Sequence, residues 1–147
     1  MIKDVLYKIF MKYKTDIFIE TGSHLGYGID RAIDIGFDQI YSIEIEESYY
    51  DHCCGKFQFH DNVALYYGSS EVRLPIILSK VNERATFWLD AHMATFGGPC
   101  PIITELKMIS EHKIKCHNIL IDDMRDFGTE AHDYITIQDL KNELLLI

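Results

Sequence analysis

A short apolar stretch that ends in an acid and a glycine-rich turn, residues 16–28, limits most strongly what this chain can fold into. Residues 17–19 are typical of a buried strand bounded by turn residues. The acid is Glu20, and the glycines of the turn are Gly22, Gly26 and Gly28. Glycine lets the backbone turn tightly or approach a ligand closely. Open α/β sheets build nucleotide sites from a strand, such a turn and a helix, so the stretch predicts a nucleotide-type site.

The details of this turn indicate which ligand it holds. Its glycines are spaced Gly-x-x-x-Gly-x-Gly, which differs from the Gly-x-Gly-x-x-Gly of dinucleotide binders. Glu20 would place a negative charge beside the negative charge of a pyrophosphate. A carboxylate suits a cationic or hydroxyl-bearing ligand better. We therefore expect S-adenosylmethionine, with its ammonium and sulfonium groups, rather than NAD.

Strand and helix patterns alternate along the chain. Strands are predicted over 17–19, 39–45, 63–67, 85–90 and 118–121, with helices over 2–14, 25–35, 47–57 and 71–81, after Pro101 and after Thr136. In the last helix we expect Ile137, Leu140 and Leu144 to face inward. The alternation predicts a doubly wound α/β fold with a mostly parallel sheet and helices on both faces. No linker or change of composition divides the chain, so 1–147 is interpreted as a single domain.

Charge and cysteine content narrow the class of protein. A net charge of −9 gives no basic footprint for nucleic acid, which we do not expect as a partner. No apolar run is long enough to span a bilayer, so no membrane partner is expected either. The four cysteines lack Cys-x-x-Cys spacing, which favours reduced thiols and a cytoplasmic protein. A small-molecule substrate is therefore expected, and assembly into a homo-oligomer stays open.

Acids dominate the ends of the predicted strands, where ligands bind in doubly wound sheets. Glu44 follows the glycine turn at nearly the interval of about 20 residues at which an acid binds ribose hydroxyls. A carboxylate can accept two hydrogen bonds, which matches a cis-diol. Alternatively, the acids Glu44, Glu46 and Glu47 only stabilise the N-terminus of the next helix, where negative charge is favoured.

Three further acids, Asp90, Asp122 and Asp123, follow the fourth and fifth strands. If these strands are neighbours about 5 Å apart, the carboxylates converge and repel one another. A hard divalent cation removes that repulsion, and carboxylate oxygens suit Mg²⁺ or Mn²⁺. The alternative is one catalytic acid with two solvated loop acids.

His92 lies just after Asp90 and is a candidate general base or additional metal ligand, because imidazole titrates near neutral pH. A loop histidine without a role is the alternative. Asp90 or His92 is expected to act as the base that takes a proton from the bound substrate. Tyr49 and Trp88 are interpreted as core residues rather than as a platform for a base.

Together these stretches resemble the class I S-adenosylmethionine-dependent methyltransferases over roughly residues 1–128. The stretches are Phe-Ile-Glu-Thr-Gly-Ser-His-Leu-Gly-Tyr-Gly, Tyr-Ser-Ile-Glu, Tyr-Tyr-Gly-Ser-Ser, Phe-Trp-Leu-Asp-Ala-His and Ile-Leu-Ile-Asp-Asp. Leu-Asp-x-His and Ile-Asp-Asp are similar to motifs of a group of small bacterial-type methyltransferases. The three aspartates also resemble those that hold Mg²⁺ in metal-dependent sugar O-methyltransferases of the macrocin type.

The resemblance implies a role for each of these residues. The methionine part of the donor would lie at Glu20, Thr21, Gly22, Ser23, Gly26 and Gly28, the ribose at Glu44, and the adenine at Gly68, Ser69 and Ser70. The metal would lie at Asp90, Asp122 and Asp123, with Asp90 also beside the donor. Ser69 and Ser70 stand where the family often has an acid. The family adds an antiparallel hairpin after the last helix, and we expect it to be missing here because the chain ends on Glu-Leu-Leu-Leu-Ile, as a C-terminal truncation would leave it.

The function expected from these observations is metal-assisted O-methylation of a small hydroxyl-bearing substrate. A bound metal would lower the pKa of the acceptor hydroxyl, and alignment with the donor would supply much of the rate gain. The alternatives are a metal-independent methyltransferase and an inactive fragment that only binds S-adenosylmethionine. A nicotinamide-dependent oxidoreductase ranks last because of the glycine spacing and Glu20.

Overall fold

The computed structural model describes residues 2–91 and 98–147, with side chains from Val5 onward in these ranges. The strands are β1 (Ile17–Thr21), β2 (Gln39–Glu44), β3 (Val63–Tyr67), β4 (Ala85–Leu89) and β5 (Asn118–Ile121). The helices are α1 (Ile2–Lys12), α2 (Tyr27–Ile35), α3 (Glu47–Lys56), α4 (Ser70–Leu78), α5 (Ile102–Glu111) and α6 (Ile137–Leu144). A short 3₁₀ helix, Glu130–His132, precedes α6. The predicted bounds of β3 and β5 are confirmed.

All strand pairs are parallel, and the strand order is β3-β2-β1-β4-β5. The chain first moves outward from β1 to β3, and α4 then carries it back across the sheet to β4 and β5. Because such crossovers are right-handed, reversing the direction moves the helices to the opposite face. The doubly wound α/β fold with helices on both faces is therefore confirmed. Its sheet is wholly parallel within the described residues.

Successive side chains of β1 point to opposite faces of the sheet and so belong to two separate apolar cores. Phe18 packs with α1, α2 and α3. Phe10 of α1, Ile29 of α2 and Phe37, which follows α2, are fully buried or nearly so in this core. Ile17 and Ile19 face the other core, which is formed with α4, α5 and α6. Each strand is thus covered on both faces, and the polar ends of the strands are left to form a site.

The last helix differs from expectation. Thr136 caps α6 as predicted, in a capping box with Asp139. Leu140 is buried, but Ile137 and Leu144 are 41% and 37% exposed, so their predicted inward orientation is wrong. The reason is that α6 packs on the core through a narrow stripe around Leu140. Helical periodicity gives the apolar stripe but does not say how much of it a neighbour covers.

Every helix within residues 2–91 and 98–147 is too short or too polar to cross a membrane. All four cysteines carry free thiols, and Cys53 and Cys100 are buried. A cytoplasmic location stays a prediction.

Two histidines form a hydrogen-bonded pair beneath the sheet, at the amino end of β4. The Ala85 backbone N–H donates to His117 Nδ1 at 3.0 Å, so His117 carries its proton on Nε2. That nitrogen donates to His112 Nδ1 at 2.9 Å, and His112 Nε2 donates to the carbonyls of Leu78 and Val81, both at 3.1 Å. This arrangement holds only if both rings are neutral. Burial, followed by the neighbouring His112, lowers the pKa of His117 to about 4.

We expect this histidine pair to make the fold sensitive to acid. An unfolded histidine, with a pKa of about 6.5, takes up a proton before folded His117 does. The contribution of His117 to the free energy of unfolding should therefore fall from about pH 6.5 down to about pH 4, by about 1 kcal/mol for a half-exposed ring. Buried carboxyl groups with raised pKa values respond to acid in the opposite direction, so urea denaturation at several pH values measures this loss as a difference between wild type and variant. His117→Asn keeps an acceptor for the Ala85 N–H but does not titrate, so it should reduce the loss, whereas His52→Asn, at an exposed position on α3, should not.

Candidate active site

A cavity of about 710 Å³ opens at the carboxyl ends of the strands. This volume lies within the usual range of ligand pockets, about 300–1,000 Å³. The predicted site residues that line it are Gly22, Glu44, Gly68, Ser69, Ser70, Asp90, Asp122 and Asp123. They lie at the carboxyl ends of all five strands, so the sheet brings together residues that are far apart in the sequence.

The turn after β1 is locked against the end of β4. Gly22 has a φ of +88° and donates its N–H to the Ile43 carbonyl at 2.9 Å. A Cβ atom at this position would lie 2.8 Å from the backbone oxygen of Asp90. The Asp90 N–H in turn donates to the Thr21 carbonyl at 3.0 Å. The close approach of these two backbones therefore requires glycine at position 22.

Glu44 is held rigidly in the cavity wall. Glu44 is only 6% exposed. Each of its carboxylate oxygens accepts a hydrogen bond from a backbone N–H group: Oε2 from His24 at 2.7 Å and Oε1 from Glu46 at 2.8 Å. An ionised carboxylate has about four acceptor positions, so each oxygen keeps one for a ligand. The arrangement presents two fixed acceptors to the cavity, as a cis-diol requires.

Glu20 lies behind the cavity wall. It is 2% exposed, and its Oε2 accepts a hydrogen bond from the Ser42 hydroxyl at 2.6 Å. Burial is the main cause that raises the pKa of Glu20 to about 8, so this carboxyl is mostly protonated at pH 7. A Cβ atom on Gly28 would lie 1.8 Å from Oε1 of Glu20, which explains glycine at that position.

Several predicted donor residues share this position behind the wall. Glu20, Thr21, Ser23, Gly26 and Gly28 are not among the residues that line the cavity. Ser23 and Ser42 lie within hydrogen-bonding distance, with 2.5 Å between their hydroxyl oxygens. These residues shape the turn and support it from below. Their direct contact with a ligand stays a prediction.

The three aspartates converge, as the sequence predicts for neighbouring strand ends. Asp90, Asp122 and Asp123 each offer a carboxylate oxygen, and these atoms lie within 4.8 Å of one another. Burial first, and then repulsion from Asp122 and Asp123, raises the pKa of Asp90 to about 8. The backbone fixes the group, because the Asp122 N–H donates to the Leu89 carbonyl and the Asp123 N–H to Asp122 Oδ1.

This donor set fits a hard divalent cation. Three carboxylates offer only oxygen ligands and an excess of negative charge, which suits Mg²⁺ or Mn²⁺ better than a softer metal. A cation would also relieve the repulsion among the aspartates. His92, the other residue predicted for this part of the site, lies outside the described residues.

The cavity wall also contains residues to which the sequence assigned no role in the site. Tyr49 and Ile45 line it, and Ile45 is 57% exposed. The Tyr49 ring lies edge-on to His24, with 4.3 Å between the ring centroids. Tyr49 is therefore part of the site wall and not of the core, whereas Trp88 is buried as expected. The sequence did contain one signal for such a role, which was position: Ile45 directly follows Glu44, the acid at the end of a strand.

No protein-family model and no curated protein sequence matches this chain. Solved structures do share its fold. An O-methyltransferase from Bacillus cereus in complex with SAH matches 99% of this chain and 67% of its own, with 13% identity and a TM-score of 0.70. The O-methyltransferase TomG from Streptomyces achromogenes, in complex with SAM, matches 96% and 65%, with 12% identity and a TM-score of 0.69.

The SAH-bound methyltransferase PaMTH1 from Podospora anserina gives a similar result, 98% and 63% coverage with 15% identity and a TM-score of 0.67. This chain thus spans 63% to 67% of the length of these three proteins. At such low identities the likeness establishes the fold and leaves activity to be argued from the site.

Proposed function

We propose that this chain binds S-adenosylmethionine and transfers its methyl group to an oxygen of a small hydroxyl-bearing substrate, assisted by Mg²⁺ or Mn²⁺. The observation that carries the proposal is that one cavity holds both a fixed pair of diol acceptors, on Glu44, and a convergent group of three aspartates. Three solved structures with the same fold are methyltransferases bound to SAM or SAH, which supports this choice of donor.

The strand order suggests how the donor lies. Strand ends in a sheet are about 4.8 Å apart, so β3, β2 and β1 offer successive positions for base, ribose and methionine. Ser69 and Ser70 would face the base, and Glu44 would accept hydrogen bonds from the ribose hydroxyls. Gly22, without a side chain, leaves room for the methionine part. S-adenosylmethionine supplies an electrophilic methyl group on its sulfonium, and the chain supplies alignment.

The acceptor half of the site would be formed by the aspartates. Asp90, Asp122 and Asp123 would hold the cation, which would lower the pKa of an acceptor hydroxyl. Asp90 lies at the end of β4, beside the turn that would hold the donor. It is therefore placed to orient an acceptor toward the donor.

A metal-independent methyltransferase is the second candidate, and the raised pKa of Asp90, about 8, favours it. A carboxylate with that pKa can accept a proton from an acceptor hydroxyl without help from a metal. Turnover of metal-free protein should then rise as Asp90 ionises, around pH 8, and the rise should move to lower pH with Mg²⁺ because a cation stabilises the carboxylate. The pH dependence of kcat/KM with Mg²⁺ and with EDTA measures this. Identical profiles would exclude the metal-assisted reaction.

Calorimetry with S-adenosylhomocysteine, with and without Mg²⁺, tests the proposal directly. Wild type should bind both ligands. Asp122→Asn should keep the affinity for S-adenosylhomocysteine but weaken Mg²⁺ binding at least roughly tenfold, because it removes one charged ligand. Asp126→Asn, at an exposed position of the same loop, should bind both normally.

Two results would redirect the interpretation. If neither S-adenosylhomocysteine nor Mg²⁺ binds, or if NAD binds more tightly than S-adenosylhomocysteine, the proposed activity is wrong. If S-adenosylhomocysteine binds but no methyl group reaches any of a broad panel of hydroxyl compounds, the chain is a binding module rather than an enzyme.

A further inference from the structure

The acids of the cavity wall are not balanced by basic side chains. Five carboxyl groups line the cavity, those of Glu44, Glu71, Asp90, Asp122 and Asp123. No lysine or arginine is found among the described residues that line it, and the only histidine among them, His24, has its ring edge-on to Tyr49. The residues between the two described ranges contain no lysine or arginine either. A bound divalent cation would offset two of the five negative charges and leave the wall negative.

Two arginines lie near the cavity without lining it. Arg73 Nε donates to the Tyr67 carbonyl at 2.6 Å and lies beside Gly68, at the end of the cavity where the base of the donor would lie. Arg125 follows Asp123 by two residues and is exposed, so that solvent and salt screen its charge. Neither arginine belongs to the described wall around the proposed cation site.

The wall residues that follow β4 and β5, which would frame the acceptor, are also poor in hydrogen-bond donors. We call them the acceptor half of the wall. Asp90, Asp122 and Asp123 donate their backbone N–H groups to oxygen atoms of the protein. Pro99 and Pro101 have no N–H group to donate. Five of the seven described residues in the acceptor half of the wall therefore offer no free backbone donor.

The N–H group between the two prolines is occupied as well, because Cys100 donates it to the Asp133 carboxylate. An anion that leaves water needs positive charges or hydrogen-bond donors in exchange. In the acceptor half of the wall it would meet mainly carboxylates. A hydroxyl or ammonium group supplies the proton itself and can donate it to a carboxylate.

We infer that the acceptor carries no anionic group, so that the site methylates neutral or amino-bearing hydroxyl compounds and excludes those with a carboxylate or a phosphate. This inference rests on the proposed function, since it names the substrate class of the same site. The proposed donor has the matching charge, because S-adenosylmethionine carries an ammonium and a sulfonium against one carboxylate. Among acceptors of similar shape, one with an ammonium group should react best.

Two sets of closely matched acceptors test the inference. One set is ethylcatechol, dopamine and dihydrocaffeate, and the other is glucose, glucosamine and glucuronate. Each set has a neutral, a cationic and an anionic member. The quantity measured is kcat/KM with S-adenosylmethionine at constant free Mg²⁺. The neutral member should exceed the anionic one by roughly tenfold at low ionic strength, and added salt should reduce this ratio because it screens the charges of the wall.

Gly98 allows a positive charge to be introduced into the acceptor half of the wall. A Cβ atom at this position would meet nothing within 4 Å, so a longer side chain has space. Gly98→Lys should lower the ratio of neutral to anionic acceptor at least about threefold. Gly98→Gln adds a side chain without the charge and should keep the wild-type ratio. Gly55→Lys, at an equally open glycine of α3 outside the wall, should also keep it.

The possible outcomes separate this inference from the proposed function. If the anionic member of a methylated set reacts as well as the neutral one, the inference is wrong while the proposed function stands. The same holds if the preference for the neutral member persists unchanged both in high salt and in Gly98→Lys. If no member of either set receives a methyl group, the proposed methylation of small hydroxyl compounds is itself wrong, and the inference fails with it.

Discussion

Replacing Gly22 with alanine is expected to lower the free energy of unfolding by about 3 kcal/mol and to abolish donor binding. Two effects add up. The φ of +88° is unfavourable for a residue with a Cβ atom, and that atom would lie 2.8 Å from the Asp90 backbone oxygen. Backbone cannot rotate away as a flexible side chain can, so β1 and β4 would have to separate at their carboxyl ends. Urea denaturation and calorimetry with S-adenosylhomocysteine measure the two losses.

Gly36→Ala is a matched control for this prediction. Gly36 has nearly the same φ, +81°, but a Cβ atom there would meet nothing within 4 Å. It should therefore lose only the conformational part, about 1 kcal/mol, and keep its affinity for the donor. Equal losses for the two variants would mean that the close approach to Asp90 does not matter.

Glu44→Gln is expected to weaken the binding of S-adenosylhomocysteine about 100-fold, or about 3 kcal/mol. The two carboxylate oxygens of Glu44 already accept the N–H groups of His24 and Glu46. An amide would direct an NH₂ group at one of these N–H donors and would also lose one acceptor for the ribose. Calorimetry at constant ionic strength measures the loss.

Glu47→Gln makes the same change of charge at an exposed residue of α3 and should leave the affinity unchanged. The Glu44 variant should also unfold somewhat more easily, because a backbone N–H loses its partner. If Glu44→Gln binds S-adenosylhomocysteine as well as wild type does, the ribose does not lie at Glu44, and the proposed orientation of the donor is wrong.

Local sequence patterns are sufficient to predict the fold and the convergence of the acids. Parallel strands end at a common edge, so identifying each strand and the acid that follows it is enough to place Glu44, Asp90, Asp122 and Asp123 together. The cavity at that edge contains all four residues. This reasoning needs only local patterns and one general property of parallel sheets.

Other features depend on contacts that no local pattern reveals. Glu20 stands at a strand end as Glu44 does, yet it shares the face of Phe18 and lies beneath α2, whereas backbone N–H groups hold Glu44 in the wall. Glu105 has the sequence context of an ordinary helix acid, and only the packing of α5 on the sheet buries it. The His112 and His117 pair likewise depends on carbonyls and an N–H more than 30 residues distant in sequence.

The strand order assigns the two reactants of the proposed reaction to two separate, contiguous stretches of chain. Residues up to Glu71 would frame the donor, and the residues that follow β4, which begins the second stretch, would frame the acceptor. Within the sheet these two stretches touch along a single seam, the pairing of β1 with β4. An altered acceptor preference could therefore arise by exchange of the second stretch alone. The tight Gly22 and Asp90 contact at the top of the seam would then act as a spacer that keeps the distance between the two reactants constant.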